Sequence, residues 1–401
     1  MALIKKPVNG MKDILPEEMQ LREYLMGIIR RTYTGFGFSC IETPVVEHIE
    51  NLLSKQGGDN EKLIFKILKR GEKLNLETAE TEADLVDGGL RYDLTLPLAR
   101  YYSNNSASLP SPFKALQMGS VFRADRPQKG RYRQFTQCDI DILGESGNIA
   151  EIELILATTK ALSEICPGKK FEVRINDRQL LKDMASGAGF SEENLDTVLV
   201  ILDKKDKIGD EGIRKELLEA GFDENTVDTY IASVNQAVPT DNLKEIMEVV
   251  NASRKVDFDI IFDPTLVRGM GYYTGTIFEV SMEGFSGSVA GGGRYDRMIG
   301  KFTGQETPAC GFSIGFERII TILSDSGFKV PGAAGKTAFL YEKGVSTAKL
   351  KEIISEAEEL RADGSIVLVA KMNKNKKFQK DQLGKEGYTD FREFYKEELK
   401  N

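Results

Sequence analysis

Residues 114–144 constrain this chain most, because they place two strand-like runs on either side of a charged, turn-rich segment. In the first run, Leu116 and Val121 alternate with small or polar residues, and the second run begins at Phe135. Pro127 interrupts the basic segment between the runs. The stretch therefore predicts two antiparallel strands joined by a long loop.

The charged residues of this hairpin fall on shared faces, since side chains two apart in a strand point the same way. Gln137, Asp139 and Asp141 form one set, and Arg123 and Asp125 form another. Burying such charges is costly unless they meet partners, so a solvated hairpin face is the simple alternative. Against it, Arg123 stands in a run that is otherwise half apolar, where a guanidinium suits bidentate recognition of phosphate.

Composition sets broader limits. A chain of 401 residues with 41% apolar and 29% charged residues is typical of a globular protein of two or three domains. The net charge of −8 argues against indiscriminate nucleic-acid binding but allows a local basic groove. Cys40, Cys138, Cys166 and Cys310 are scattered and His48 is the single histidine, so we expect neither a zinc site nor a disulfide framework. With no long apolar run, we expect a cytoplasmic protein without membrane contact.

Residues 122–141, FRADRPQKGRYRQFTQCDID, resemble motif 2 of the class II aminoacyl-tRNA synthetases, in the version found in histidyl-tRNA synthetases. Residues 37–47 resemble motif 1, with the family's proline at Pro44, and this element forms the dimer interface in the family. Residues 308–320 resemble motif 3, in which small residues precede a helix that carries Arg318.

Two further segments resemble the motifs specific to the histidyl enzymes, namely residues 267–279 and 288–296. The second contains three successive glycines, which let the backbone approach a ligand closely, although glycines alone would favour a flexible turn. The first departs from the family pattern, because Gly271 stands where an acid usually precedes the paired tyrosines.

The remaining elements are predicted from their patterns. A helix opens at Pro16 and ends near Gly35, a hairpin covers 63–76, and an amphipathic helix covers 146–165. Asp93 and Thr95 are predicted to share one face of a strand.

The resemblance implies an α+β fold: a class II antiparallel sheet with a six-stranded core, flanked by helices. Residues 1–170 and 256–330 would form the catalytic core, and 171–255 a mainly helical insertion. A Pro/Gly/Ala linker at 330–335 precedes the tail, 336–401, which reads as strand, helix, strand and a Lys-rich polar end. That tail would be a shortened α/β domain of the anticodon-binding kind.

The resemblance also implies the roles of individual residues. The catalytic residues would be Arg123 and Arg268. Residues for ATP would be Arg123, Asp125, Phe135, Gly315 and Arg318. Residues for histidine would be Asp93, Thr95, Gln137, Asp141, Tyr272, Tyr273, Gly291 and Gly292. The tRNA acceptor end would meet Arg126, Gln128, Lys129, Arg131 and Arg133.

The function implied is that of a histidyl-tRNA synthetase, which activates L-histidine with ATP and transfers it to tRNA(His). We expect ATP and Mg²⁺ as cofactors, no metal site built by the protein, and a homodimer formed through motif 1. The alternative is a synthetase-like regulatory subunit of ATP phosphoribosyltransferase in histidine biosynthesis. The shortened tail favours that alternative, whereas Arg123, Arg268 and Arg318 favour the enzyme.

Overall fold

The structure is a computed structural model that describes residues 3–53, 60–127, 131–269, 271–331 and 336–396. It divides into two compact units. The first holds the residues up to Asp13 together with Leu25–Ile322, and the second holds Ile14–Tyr24 and the chain from Leu323 onward. None of the helices in the described ranges is long and apolar enough to cross a membrane.

The elements in chain order are as follows. The strands are β1 (Ser39–Cys40), β2 (Val46–His48), β3 (Lys66–Leu68), β4 (Val86–Leu90), β5 (Phe113–Phe122), β6 (Gln134–Leu143), β7 (Phe171–Asp177), β8 (Asp259–Phe262), β9 (Thr276–Met282), β10 (Ser288–Arg294), β11 (Ala309–Ile314), β12 (Lys336–Tyr341), β13 (Ile366–Lys371) and β14 (Tyr388–Phe394). The helices are α1 (Pro16–Gly35), α2 (Ile49–Leu52), α3 (Thr95–Asn105), α4 (Ile149–Ile165), α5 (Arg178–Ala188), α6 (Leu195–Leu202), α7 (Lys205–Glu219), α8 (Glu224–Asn235), α9 (Asp241–Ser253), α10 (Asp296–Thr303), α11 (Phe316–Asp325), α12 (Thr347–Ala362) and α13 (Lys376–Lys385).

One large sheet dominates the first unit. Among the described residues its eight strands follow the order β1-β5-β6-β11-β10-β9-β7-β8. The six strands from β5 to β7 in that order run antiparallel to their neighbours. The edge strands β1 and β8 are parallel to β5 and β7. The predicted antiparallel sheet with a six-stranded core is therefore confirmed, with one parallel strand added at each edge.

The alternation along β6 explains why the sheet has one apolar and one functional face. Cys138, Ile140 and Ile142 are buried in the core, and α4 packs against β6, β10 and β11. Gln137 and Asp139 point to the opposite face, where they line a cavity. Because a strand's side chains alternate, burying the apolar set places the polar set over the cavity.

β2, β3 and β4 form a second, small antiparallel sheet in the order β2-β4-β3. Its pairing differs from one of the predictions. Lys66–Leu68 pairs with Val86–Leu90, and Gly71–Lys73 forms only a 3₁₀ turn. The predicted hairpin over 63–76 is therefore wrong. The local Gly turn was present, but the buried partner strand comes later in the chain.

The segment after β4 corrects a second prediction. β4 ends at Leu90 and α3 begins at Thr95, so Asp93 and Thr95 do not share a strand face. Instead, Asp93 Oδ1 accepts a hydrogen bond from Leu96 N at 3.2 Å. A carboxylate in this position satisfies one of the free N–H groups of a helix's first turn.

The helical segment between β7 and β8 begins at Arg178, because 171–177 forms β7 inside the large sheet. The strand that the alternation of 171–178 predicts is thus β7, and the helices follow it. Helices α5 to α8 surround a core that includes Leu199, Leu217 and Tyr230. The same cluster continues into the catalytic core through Leu266, Val267, Tyr273 and Ile277. Helix α9 packs instead against α4.

In the second unit, β12, β13 and β14 form a parallel sheet in the order β13-β12-β14. Its core contains Phe339, Ile353 and Val367. The strand–helix–strand start of the tail was predicted, but the Lys-rich segment was not a polar end: it forms α13, and β14 follows. Lys376 and Lys380 both pair with Glu393 on β14, at 3.0 and 2.6 Å. The lysine-rich composition therefore led us to miss an ordinary helix and the strand after it.

Candidate active site

Arg123 is held at the mouth of the β5–β6 hairpin. β5 ends at Phe122, so Arg123 begins the loop and is not inside the strand as predicted. Its backbone N donates to Arg133 O at 2.9 Å, and its Nε donates to Tyr92 O at 3.0 Å. The guanidinium lies over the Phe135 ring, 5.1 Å from the centroid. These contacts orient Arg123 before any ligand arrives, while its side chain lines a cavity.

The loop that follows is anchored to the start of the chain. Arg133 N donates to Gly10 O at 2.8 Å, and Arg133 Nε donates to Asp125 O at 3.0 Å. Arg133 Nη1 reaches Asn9 O at 3.4 Å. Gly10 has a φ of +85°, and a Cβ there would collide with Arg133 and Pro127. The guanidinium predicted to meet tRNA phosphates is thus engaged within the protein.

The other residues predicted to contact tRNA divide into three cases. Arg131 lines the cavity and pairs with Asp125 Oδ2 at 3.3 Å. Arg126 is exposed and is not part of the cavity lining. Gln128 and Lys129 lie outside the described residues.

Three buried carboxylates, Asp93, Asp139 and Asp141, form what we call the acidic group. Burial raises the pKa of Asp139 well above its usual range, and the nearby Asp141 and Asp93 add to that shift. Burial also raises the pKa of Asp93. For Asp141, burial outweighs the hydrogen bond that Tyr295 OH donates at 2.6 Å and raises the pKa to about 7. The group favours a ligand that supplies positive charge.

Three acceptor atoms in this region accept no hydrogen bond from the described residues: Asp93 Oδ2, Gln137 Oε1 and Asp141 Oδ2. Asp139 and Asp141 line the cavity, whereas Asp93 does not, although its carboxylate acts electrostatically on both of them. A buried acceptor without a partner is costly, typically about 1–3 kcal/mol. The arrangement therefore fits a ligand that carries several N–H donors.

Paired tyrosines and Arg268 stand across the cavity. The rings of Tyr272 and Tyr273 lie 4.7 Å apart, and Tyr272 meets Tyr295 edge-on at 6.0 Å. Arg268 Nη1 pairs with Glu279 Oε2 at 2.6 Å. Gly271, which replaces the acid expected at its position, is exposed and lies outside the cavity lining. Arg268 is therefore held from β9, independently of the Gly271 position.

Two glycines make room for functional side chains. A Cβ at Gly291 would collide with the guanidinium of Arg268, and a Cβ at Gly311 would collide with the carboxylate of Asp141. Both lie on neighbouring central strands, β10 and β11. Here glycine is needed for close approach of a side chain, which is a firmer reason than a flexible turn.

The third motif forms β11 and the start of α11, as predicted. Arg318, in the first turn of α11, donates to Ser288 O and, at 3.0 Å, to Ser288 Oγ. Burial lowers the pKa of Arg318; Glu279 opposes that shift, and the neighbouring Arg268 and Arg131 add to it. Arginines that repel one another in a cavity favour a polyanionic ligand. We call Arg123, Arg131, Arg268 and Arg318 the arginine group.

Asp139, Asp141, the paired tyrosines and the arginine group meet in one cavity of about 850 Å³. It lies within the size range of small-ligand sites. The predicted site residues that line it are Thr95, Arg123, Asp125, Arg131, Phe135, Gln137, Asp141, Arg268, Tyr272, Tyr273, Gly291, Gly292, Gly315 and Arg318. Separate runs of sequence thus converge, which no single motif could show.

Several residues of the lining had no role predicted from the sequence. They are Asp139, Asp203, Lys207, Glu279, Tyr295 and Ser313. The strand alternation placed Asp139 beside Gln137 and Asp141, and this was a usable signal. Asp203 and Lys207 gave none, because they come from the helical segment, whose approach to the sheet no local pattern encodes.

A sheet of this topology, with motif 2, motif 3 and the segments 267–279 and 288–296 contributing to one cavity, defines a class II aminoacyl-tRNA synthetase. The family model described as Histidyl-tRNA synthetase matches residues 10–319. A histidine–tRNA ligase of Leifsonia xyli subsp. xyli (strain CTCB07) is 41% identical over 415 residues, covering 96% of this chain and 94% of that protein. This chain belongs to the histidyl-tRNA synthetase family, and its activity is that of a histidine–tRNA ligase, as the resemblance implied.

Solved structures agree with this assignment. The crystal structure of histidyl-tRNA synthetase from Nostoc sp. PCC 7120 matches with a TM-score of 0.77 and 26% identity, covering 96% of this chain and 90% of that one. An ATP phosphoribosyltransferase regulatory subunit/histidyl-tRNA synthetase from Bacillus halodurans C also has a TM-score of 0.77, covering 99% and 100%. At 20% identity, this second likeness shows the fold alone.

Proposed function

We propose that this cavity activates L-histidine with ATP and that the histidyl group then passes to tRNA(His). One observation carries the assignment of the site: a single cavity joins buried acceptors that lack partners among the described residues to four arginine side chains. The buried acceptors favour a ligand with N–H donors and positive charge. The arginine group favours a ligand with phosphate groups. Histidine and ATP supply these complementary groups.

The acidic group is proposed to hold histidine. Asp93, with Thr95, would accept from the α-ammonium group, and Gln137, Asp141 and the paired tyrosines would meet the imidazole. An imidazole can donate from one ring nitrogen and accept at the other, which suits carboxylate and phenol partners. The backbone of Gly291 and Gly292 would lie against the substrate.

ATP is proposed to bind at the arginine group. Phe135, already under Arg123, would stack on the adenine, with Asp125 at the adenine end. Gly315 and Arg318 would receive the nucleotide from the start of α11, with Arg318 directed to the γ-phosphate region. These placements use the lining of the cavity as it stands.

Arg123 and Arg268 are the proposed catalytic residues. The carboxylate of histidine is ionised at neutral pH, so one of its oxygens can attack the α-phosphorus without a general base. The bond to the leaving pyrophosphate then breaks. The two guanidiniums would stabilise the charge that develops on the α-phosphate from opposite sides, which is catalysis by positioning and electrostatics.

Mg²⁺ is expected to accompany ATP as the counter-ion of its phosphates. Within the described ranges, no group of three or more His, Cys, Asp or Glu side chains is arranged to hold a metal. We place Mg²⁺ on the phosphates of the nucleotide, where it would neutralise negative charge, and assign no step to it.

The larger assembly is also a proposal. We propose a cytoplasmic homodimer formed through residues 37–47 and the following strand, where Val45 and Val46 are exposed apolar side chains. The core would comprise 1–177 and 256–330 and the helical insertion 178–255, with the tail from Lys336 binding tRNA. The acceptor end would reach Arg126, Gln128, Lys129 and Arg131.

Histidine-dependent exchange of pyrophosphate into ATP tests the proposed function on the purified chain. The enzyme should exchange only when histidine is present and should reject other amino acids. A regulatory subunit would bind histidine without exchange. Exchange that is absent, or that another amino acid supports equally, would refute the proposal.

A further inference from the structure

We propose that Asp139, which accepts a hydrogen bond from Ser313, is a positioning residue that determines specificity. It would orient the side-chain amide of Gln137 so that Oε1 faces the bound amino acid. This inference rests on the proposed function and adds a residue to it. Neither Asp139 nor Ser313 belongs to the set predicted from sequence to bind substrate.

The sheet itself creates the contact. Ser313 on β11 lies directly opposite Asp139 on β6. Ser313 Oγ donates to Asp139 Oδ1 at 2.5 Å. Gln137, two residues earlier on the same face, directs Nε2 to Asp139 Oδ2 at 3.3 Å and to Ser313 Oγ at 3.4 Å. The three side chains form one network across two strands.

The chemistry of the groups sets the orientation of the amide. Asp139 Oδ1 accepts from Ser313 Oγ and its Oδ2 accepts from Gln137 Nε2, so the amide presents its NH₂ group to this side chain. Its Oε1 is then left as a buried acceptor without a partner among the described residues. An amide end can otherwise rotate by half a turn at little torsional cost and exchange its donor and acceptor. Asp139 removes that freedom.

The consequence is selective. Gln137 Oε1 joins Asp141 Oδ2 as a second buried acceptor of the cavity lining without a partner among the described residues, so the ligand must present an N–H group to each. An amino acid with an apolar side chain cannot satisfy that demand and would leave a buried acceptor unpaired. If the amide turned over, a donor would face the donors of histidine.

Asp139→Asn tests this, because asparagine keeps the shape and can donate to Gln137 Oε1. The KM for histidine in pyrophosphate exchange should rise about 10- to 100-fold, as expected when buried hydrogen bonds are broken. The KM for ATP should stay within about twofold. Asp259→Asn, on an exposed position of β8, is the matched control and should leave both constants unchanged.

A double variant separates positioning from direct contact or structural damage. If Asp139 acts through Gln137, Gln137→Ala alone and Gln137→Ala/Asp139→Asn should show the same KM for histidine, whereas independent effects would multiply. Multiplying effects, or an unchanged KM in Asp139→Asn, would overturn the inference. Should Asp139→Asn fail to fold in a thermal scan, Ser313→Ala carries the test, with a smaller rise expected and no rise counting against it. A parent enzyme without histidine-dependent exchange would refute the proposed function instead.

Discussion

The acidic group and the arginine group share one cavity but are prepared for their ligands in opposite ways. Arg268 is paired with Glu279 and Arg318 bonds to Ser288, while Arg123 bonds to the backbone of Tyr92. In contrast, the acidic group keeps acceptors that nothing in the described structure satisfies.

The difference shows how one site can serve a common reactant and a rare one. Every synthetase uses ATP, so the arginines need only be rigid and correctly placed, which their protein partners ensure. Histidine must be distinguished from other amino acids. Leaving buried acceptors unpaired makes the absence of the right donors costly, and that cost provides the selectivity.

The largest effect is expected from Arg268→Ala. Losing one preorganised charge contact at a developing oxyanion typically slows the step about 100- to 1000-fold. We therefore expect a loss of this size in the maximal rate of pyrophosphate exchange, with thermal unfolding little changed. Arg268→Lys keeps the charge but loses the planar guanidinium, so its maximal exchange rate should lie between those of the parent and Arg268→Ala. Exchange within a few-fold of the parent would show that Arg268 is not catalytic.

A smaller and more selective effect is expected from Asp141→Ala. A ligand N–H would lose its acceptor, at a cost of about 1–3 kcal/mol in histidine binding. The KM for histidine should therefore rise far more than the KM for ATP. Asp125→Ala is the matched carboxylate loss at the nucleotide end and should show the reverse pattern. Equal changes in both constants would erase the distinction between the two groups.

The pH dependence of histidine use should sharpen the comparison. Burial raises the pKa of Asp141 to about 7, with Asp93 adding to the shift and Tyr295 opposing it. Below that pH the carboxyl is protonated and loses charge, so the KM for histidine should fall as pH rises from about 6 to 8. The substrate imidazole titrates in the same range. In Asp141→Asn only the substrate titrates, so the difference between the two pH profiles of KM gives the contribution of Asp141. A profile as steep in the variant as in the parent would show that Asp141 does not cause the pH dependence.

The smallest effect is expected in the second unit. Lys374 and Lys377 are exposed, whereas Lys376 is paired with Glu393. If the exposed lysines contact tRNA phosphates, replacing each by Ala should raise the KM for tRNA modestly and reduce the salt slope by about 1. Pyrophosphate exchange should not change. Lys376→Ala is the control, and an equal loss of salt dependence there would point to general charge rather than to defined contacts.

Sequence patterns predicted the parts of the fold that depend on local order. The β5–β6 hairpin follows from alternation around a turn, and α11 follows from small residues before an amphipathic run. The pairing of β3 with β4 was missed, because a nearby glycine turn gave a stronger local signal than a distant strand. The tail was misread because the lysines of α13 outweighed the apolar positions of β14.

The site divides in the same way. The residues of the three motifs were predicted, since each motif is continuous in sequence. The start of α3 was not predicted, so Asp93 and Thr95 were placed on a strand. In the structure, Asp93 instead accepts a hydrogen bond from a backbone N–H of the first turn of α3. Asp203, Lys207 and the Asp139–Ser313 contact depend on strand order and helix docking, which long-range packing decides.

The anchoring of Arg133 by Asn9 and Gly10 has a practical consequence for truncation. Removing the residues up to Gly10 would leave every side chain of the cavity lining in the product, yet it would delete the two carbonyls that Arg133 binds. A bulky affinity tag fused close to Asn9 would press on the same turn. For this enzyme, a truncation or a tag near Gly10 therefore affects the loop that carries Arg123 and Arg131.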